Sequence, residues 1–296
     1  MTLEQIWRLS RPPTLPASIV PVAVGTAAGV LTGPVAWPLA LDMALVAILL
    51  QAATNMTNEY HDFARGLDQA GAVGIAGVLV ERELTADAVR AAFLTTFLVA
   101  TVLGLVLAFE RGPLLLVLGL LSIAVAYLYN AGPRPISATP FGEATVFVVM
   151  GPLEVLVSEV AAVGHASAAA VAASVSVAAL VAAILLANNM RDHDSDRRHG
   201  RRTLPIVAGL RSAGRLFAAL VALSLAAPVA GWLLGLLPVG ALAALLAAPL
   251  AFGLVRRLTA PGADLRLGVA HTARLELLVG GLLALGLVSS LALQGR

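Results

Sequence analysis

The sequence predicts an all-α membrane protein, a bundle of nine transmembrane helices, and three observations lead there. Of 296 residues, 59% are hydrophobic and only 12% are charged, against roughly 25% charged in a soluble domain; mean hydropathy is +0.92. Apolar segments run at 15–31, 39–57, 88–109, 113–129, 141–163, 166–187, 213–235, 238–255 and 270–291, bracketing the roughly 17–25 residues that cross the hydrocarbon. The third observation is where the charge falls. The chain has no lysine, and with the N-terminus inside, every arginine except Arg111 and Arg296 lies on the inner side or at an inner helix end. That is the positive-inside bias, and an odd number of spans then puts the C-terminus outside.

The same balance narrows the function classes. The pI near 9.6 follows from topology, so the partner it implies is anionic lipid or an anionic substrate rather than nucleic acid. Without cysteine there are no disulfides or thiolate metal sites. None of the five histidines forms an H-x3-H pair, so a zinc enzyme is not expected. No long polar segment offers a soluble domain, and residues 1–296 read as a single domain in the plasma membrane. The first apolar stretch follows Arg8 and Arg11, contains Pro16 and Pro21 and lacks a convincing cleavage site. It reads as the first membrane helix rather than a secretory signal.

Four stretches are expected on the inner side: 58–87, 130–140, 188–212 and 256–269. The first opens as NEYHDFARGLD, with Asn58 and Asp62 four apart, Glu59 and Asp62 three apart, Asp68 beyond Gly66, and Asn55 one turn earlier. Gly71 to Val80 is apolar but too short to span; it reads either as a lid over the site or as a surface loop, with Glu81 to Asp87 starting a short interfacial helix. The second stretch, with residues 127–143 reading YLYNAGPRPISATPFGE, is a rigid proline- and glycine-rich connection. Tyr127 and Tyr129 suit interfacial anchors, and Arg134 is a candidate diphosphate ligand.

In the third stretch Asn188, Asp192 and Asp196 recur every four residues, so on a helix they share one face. Arg191, Arg201 and Arg202 stand among them. The loop at 256–269, with Arg256, Arg257, Asp264 and Arg266, lacks ligand-like spacing and reads as structural. Within the spans, Glu154 follows Gly151-Pro152. A carboxylate at that depth is costly and signals function by default, either handling a proton on an acceptor or lining a cavity. Glu159, five residues on, is expected at the outer surface.

Carboxylates aligned at the end of a hydrophobic helix repel one another unless something positive sits between them. Mg²⁺ carrying a diphosphate fits, because that ion favours carboxylate oxygens together with substrate phosphates. Arginines would add further phosphate contacts. The spacing N-x3-D occurs at Asn58–Asp62 and again at Asn188–Asp192, so each half carries an acidic helix end. Facing one another, the two ends could hold two metals and a diphosphate. A secondary transporter also pairs repeats and broken helices, but near mid-membrane, whereas most acids here sit at inner helix ends.

The motifs WRLSRPPTLPASIVPVAVGTA at 7–27, NEYHDFARGLD at 58–68, YNAGPRPISATPFGE at 129–143 and NNMRDHDSDRRHGRRTLPIVAG at 188–209 together resemble the UbiA superfamily of intramembrane prenyltransferases. Within it they are most similar to the menaquinone branch, which prenylates 1,4-dihydroxy-2-naphthoate with loss of CO₂ and diphosphate to give a demethylmenaquinone. The resemblance implies nine helices around a lipid-accessible central cavity, with two aspartate motifs binding a polyprenyl diphosphate through Mg²⁺. It assigns Asn58, Asp62 and Asp68, and Asn188, Asp192 and Asp196, as metal ligands, the four aspartates being catalytic. Arg134 matches the basic residue of the glycine-proline loop. Asn55, Glu59, Tyr129, Glu154, Arg191, Arg201 and Arg202 complete the expected substrate-binding set. Three departures stand out: Glu59 replaces the usual aspartate, QAGAVGIAGV replaces basic residues after Asp68, and GPLEVLVSEVAAVG, with Glu154, stands where the family commonly carries GP followed by apolar and aromatic residues. The implied partners are the polyprenyl diphosphate, a small aromatic acceptor and membrane lipids. Other acceptors, such as 4-hydroxybenzoate, another quinone precursor, a porphyrin or a glycerol phosphate ether, are alternatives.

Overall fold

The computed structural model describes residues 1–68 and 76–293. Among them, eight helices are long and apolar enough to cross a membrane, and a ninth crossing exists if a bent N-terminal pair counts as one. The protein is a multi-pass membrane bundle. The expected first span is the bent one. Helix α1 (Leu3–Ser10) opens with a reciprocal cap between Thr2 and Gln5, and the proline-rich turn Pro12–Thr14 leads into α2 (Pro16–Val30). The two arms meet at 62°. The 15 residues of α2 rise about 22 Å, less than the roughly 30 Å of hydrocarbon.

Helix α3 (Trp37–Ala64) runs past position 57, where its apolar segment ends. No glycine or proline interrupts the chain between position 57 and Gly66, so the first polar motif forms the last turns of the same helix rather than a loop. The stretch 71–75 lies outside the described residues, but Ala76, Val78 and Leu79 are buried against Leu9, Phe93 and Phe97. The helix expected from Glu81 starts only at Ala86 and is a long span rather than a short interfacial piece. Glu81 and Glu83 sit in a turn gripped by Arg8 at 2.8 and 2.7 Å. Helix α4 (Ala86–Arg111) begins after Thr85, whose hydroxyl accepts from Ala88 N, and it places Asp87 in its first turn, where the helix dipole favours an acid.

After α5 (Pro113–Asn130), one kinked span covers Gly142–Val163. It comprises α6 (Gly142–Val148), a widened turn at Val149–Leu153 and α7 (Glu154–Val163). Pro152 removes a donor there, and Gly151 adopts φ −93°, ψ −105°. A Cβ on Gly151 would overlap Ala178 of α8 (Ala168–Arg191), so the kink and the missing side chain together let the two spans touch. Helix α8 is the most buried of the long helices and serves as the axis of the molecule. Its alanines and serines allow close approach, the usual basis of helix association in lipid. The chain continues through α9 (His193–Arg198), α10 (Leu204–Ala208) and α11 (Leu210–Leu233). A 3₁₀ stretch (Val239–Ala247) then runs into α12 (Ala248–Thr259), and α13 (Gly268–Leu293) closes the described chain.

Glu159 is not at the surface. It is fully buried and accepts hydrogen bonds from Ser167 N at 2.7 Å and Ser167 Oγ at 2.5 Å, tying the end of α7 to the start of α8. Arg111 donates to the carbonyls of Ala161 and Ala162 at the same corner, satisfying C-terminal groups that the helix leaves open.

Candidate active site

The two N-x3-D motifs fold alike. On α3, Asn58 Nδ2 donates to Asp62 Oδ2 at 2.8 Å; at the end of α8, Asn188 Nδ2 donates to Asp192 Oδ2 at 3.2 Å. Regular helix stops at Arg191, with Asp192 at φ −89°, ψ 2°. The four-residue spacing nevertheless persists, because Asp196 N donates to the Asp192 carbonyl at 2.8 Å. Arg191 forks onto the Asp192 carboxylate at 2.7 and 2.6 Å and reaches Asn188 Oδ1 at 2.8 Å.

Gly200, at φ +76°, reverses the chain and brings Arg201 back over the motif. Arg201 Nη1 lies 3.3 Å from Asp196 Oδ1 and 4.0 Å from Asp62 Oδ2, while Nη2 donates to the Ser137 carbonyl at 3.0 Å. One guanidinium thus links both motifs and the glycine-proline loop. Asn130, buried at the end of α5, accepts from Asn58 and donates to the Thr54 carbonyl, each at 3.2 Å. Arg65 clamps the same corner through the carbonyls of Asn130 and Gly132.

Beneath this rim lies a cavity of about 550 Å³. From the first half, Asn55, Asn58, Asp62, Asp68, Tyr129 and Glu154 line it; from the second, Asn188, Arg191, Asp192, Asp196 and Arg201 do. Its deeper wall is apolar, with Met43, Leu50, Met150, Leu153, Val157 and Ile184 among its residues. Three sequence candidates are not on the wall. Glu59 is fully buried behind it, and Arg134 and Arg202 are exposed. Tyr127 and Tyr129 face differently, being two residues apart on a helix. Tyr127 packs among His61, Phe93 and Phe97, whereas the buried hydroxyl of Tyr129 has no partner among the described residues.

The wall also carries Arg11, Gln51, Asn130, Asn189 and Arg266, which sequence reasoning did not select. Arg11 and Asn130 sit inside the conspicuous motifs, so that signal was available. Arg266 belongs to the loop read as structural, and its place on the wall shows that the absence of acid spacing does not exclude a cationic contribution. Glu276 was hidden by the apolar run of α13; it is fully buried, and neither carboxyl oxygen has a partner among the described residues.

The electrostatics favour a hard cation. Burial pushes the Asp68 carboxyl up to about 7, with Glu59 and Asp62 adding to the rise and Arg11 and Arg201 opposing it. Burial likewise lifts Asp196 to about 6, with Arg201 opposing and Asp192 and Asp62 adding. The buried Asp68 Oδ2 has no partner among the described residues. No three acidic or histidine side chains converge on one point among those residues, since Arg201 stands between the motifs. What the rim offers is paired oxygen donors, Asp62, Asp68, Asp192 and Asp196, interleaved with Arg11, Arg191 and Arg201 on the same wall. Such donors suit Mg²⁺ completed by phosphate oxygens better than an all-protein cage.

Residues 18–271 match the UbiA prenyltransferase family. The chain belongs to that family. It is 35% identical over 236 residues to the 1,4-dihydroxy-2-naphthoate octaprenyltransferase of Bacillus subtilis (strain 168), covering 80% of this chain and 74% of the relative. The enzyme of the same name from Mycobacterium tuberculosis is 33% identical, with 82% of each chain covered. Among solved structures, a UbiA homolog from Aeropyrum pernix K1 has a TM-score of 0.70 at 20% identity, covering 94% of this chain and 98% of its own. A UbiA homolog from Archaeoglobus fulgidus bound to GPP and Mg²⁺ has a TM-score of 0.69 at 16% identity, covering 97% and 99%. The bundle described above is therefore the fold of the family.

Proposed function

We propose that this chain transfers a polyprenyl group from its diphosphate to 1,4-dihydroxy-2-naphthoate, releasing CO₂ and diphosphate and giving a prenylated 1,4-naphthoquinol, the reduced form of a demethylmenaquinone. The observation that carries this reading is the pairing of two Asn–Asp motifs at the mouth of a cavity whose depth is apolar. The names of the curated relatives support the acceptor.

Asp62, Asp68, Asp192 and Asp196, with Asn58 and Asn188, would hold Mg²⁺, which when bound supplies Lewis-acid neutralisation of the leaving diphosphate. Arg191 and Arg201 act on the same oxygens, offering fixed donors where charge develops as the C1–O bond breaks. The ring carbon bearing the carboxylate attacks C1. Its bond to the carboxyl carbon then breaks, CO₂ departs, and that electron pair returns to the ring. The apolar wall keeps water from the allylic centre. Glu154 is assigned to the wall and to no proton transfer. Gly151 meets Ala178, ten residues along α8 from Asn188, which is about 15 Å at the helical rise, and Glu154 lies three residues further down its span.

Purified enzyme given labelled polyprenyl diphosphates and candidate acceptors is expected to yield the prenylated, decarboxylated naphthalene product by mass spectrometry, with Glu154→Gln keeping the same pH–rate curve. Transfer only to another acceptor would overturn the naphthoate assignment, and a changed curve would return Glu154 to the chemistry.

The orientation that goes with this reading puts the cavity mouth and the N-terminus on the cytoplasmic side, with the C-terminus outside and residues 1–296 acting as one domain. The support is the gathering of Arg8, Arg11, Arg65, Arg191 and Arg201 at the mouth. In this cysteine-free chain, a single cysteine at position 197 should react with an impermeant thiol reagent only after cells are opened. Labelling of intact cells from outside would reverse the topology.

A further inference from the structure

One guanidinium at the cavity mouth belongs to neither aspartate motif. Arg11 caps α1 at φ 48°, ψ 69°, a left-handed conformation that side chains disfavour and that glycine usually fills at a helix end. Its side chain is only 18% exposed and lies on the cavity wall. Nη2 donates to Glu59 Oε2 at 3.2 Å, and the buried Nε has no partner among the described residues. By contrast, Arg191 is committed to the Asp192 carboxylate through a two-pronged fork, and Arg201 bridges the two motifs.

The surroundings hold Arg11 in place. Asn55 Nδ2 donates to the Ser10 carbonyl and to Thr14 Oγ1, each at 2.9 Å, fixing the chain on both sides of it. Glu59 is fully buried and off the cavity wall, so its carboxylate faces the arm rather than a metal in the cavity. The same Oε2 accepts from Ala76 N at 2.9 Å, while the Ala76 carbonyl accepts from Arg8 at 3.1 and 2.8 Å. The glutamate that stands where relatives usually carry aspartate thus has a local use: it aims an arginine of the N-terminal arm.

We propose that Arg11 is a third guanidinium of the diphosphate site, a substrate-binding residue supplied by the N-terminal arm and positioned by Glu59. This rests on the polyprenyl diphosphate reading given above.

The left-handed backbone makes the test selective. Glycine at position 11 relieves the conformation while removing the guanidinium, offsetting part of the cost of leaving the buried Glu59 without its ion-pair partner. Arg11→Gly should therefore fold in detergent with a thermal midpoint lowered less than in Arg11→Ala. Binding of inorganic diphosphate to the purified full chain in Mg²⁺, measured by calorimetry, should weaken about ten- to a hundredfold, the range for a charged hydrogen bond. The donor KM should rise while the acceptor KM stays put. Glu59→Gln should weaken diphosphate binding less, because the guanidinium is present but no longer held.

Unchanged diphosphate binding by Arg11→Gly, or equal rises in both KM values, would overturn the assignment and leave Arg11 a structural cap. If Arg11→Gly does not fold, Arg11→Lys decides the matter: it keeps the charge but loses the fork, and binding as tight as the parent's would overturn the proposal. A parent protein that binds no diphosphate in Mg²⁺ would instead overturn the donor reading itself.

Discussion

Asp62→Asn and Asp192→Asn are each expected to lower prenyl transfer by about 10²–10³, the usual cost of one preorganised electrostatic contact in a transition state. The amide keeps the shape of the carboxylate, so helix ends and packing should persist and the protein should still reach the membrane. What changes is charge. Asp62 sits beside Arg201 at 4.0 Å, and Asp192 takes both prongs of Arg191. Either substitution removes a negative oxygen donor from the rim that would hold the metal–diphosphate pair. The two effects should be of similar size, because the motifs repeat the same Asn-to-Asp hydrogen bond on α3 and α8. The measurement is turnover at saturating donor and Mg²⁺, with membrane abundance as the check on folding. Full turnover in either variant, or wild-type turnover that survives thorough chelation, would sink the metal–diphosphate reading.

The aspartates were legible because their signal is one-dimensional. A four-residue spacing projects onto one helix face wherever the helix ends, so misplacing the end of α3 at 57 instead of Ala64 did no harm. Membrane spans were legible for the same reason, being runs of composition. Arg11 was not, although it lies in a conspicuous motif. Its role depends on the 62° bend between the arms and on Glu59, 48 residues away. Arg134 and Arg202 differ in the opposite direction: their motif positions suggest phosphate contacts, while both side chains are exposed and off the cavity wall. Glu159 shows the limit for acids. Hydropathy placed it near a helix end, but whether that end meets water or Ser167 is decided by the following helix.

Glycine is where sequence is least informative and where the second large effect is expected. The chain has 27 glycines, and composition cannot say which are places where helices touch. Gly286 on α13 and Gly240 in the 3₁₀ stretch form a reciprocal approach: a Cβ on either would run into the carbonyl oxygen of the other. In lipid, where apolar surface gives no net drive for association, such approach through small residues is a main source of stability. Gly281, five residues earlier on the same helix, has nothing within 4 Å of its would-be Cβ.

Gly286→Ala is therefore expected to cost at least the roughly 1–3 kcal/mol of ordinary overpacking, since the obstacle is backbone rather than a side chain that can turn away. Gly281→Ala should be neutral or gain up to about 1 kcal/mol from helix propensity. Neither Gly240 nor Gly286 lines the cavity, so the fraction of Gly286→Ala that stays folded should keep the parent's donor KM. The comparison is read from unfolding midpoints of the two detergent-solubilised variants. Equal midpoints would show that α13 and the 3₁₀ stretch do not approach through glycine.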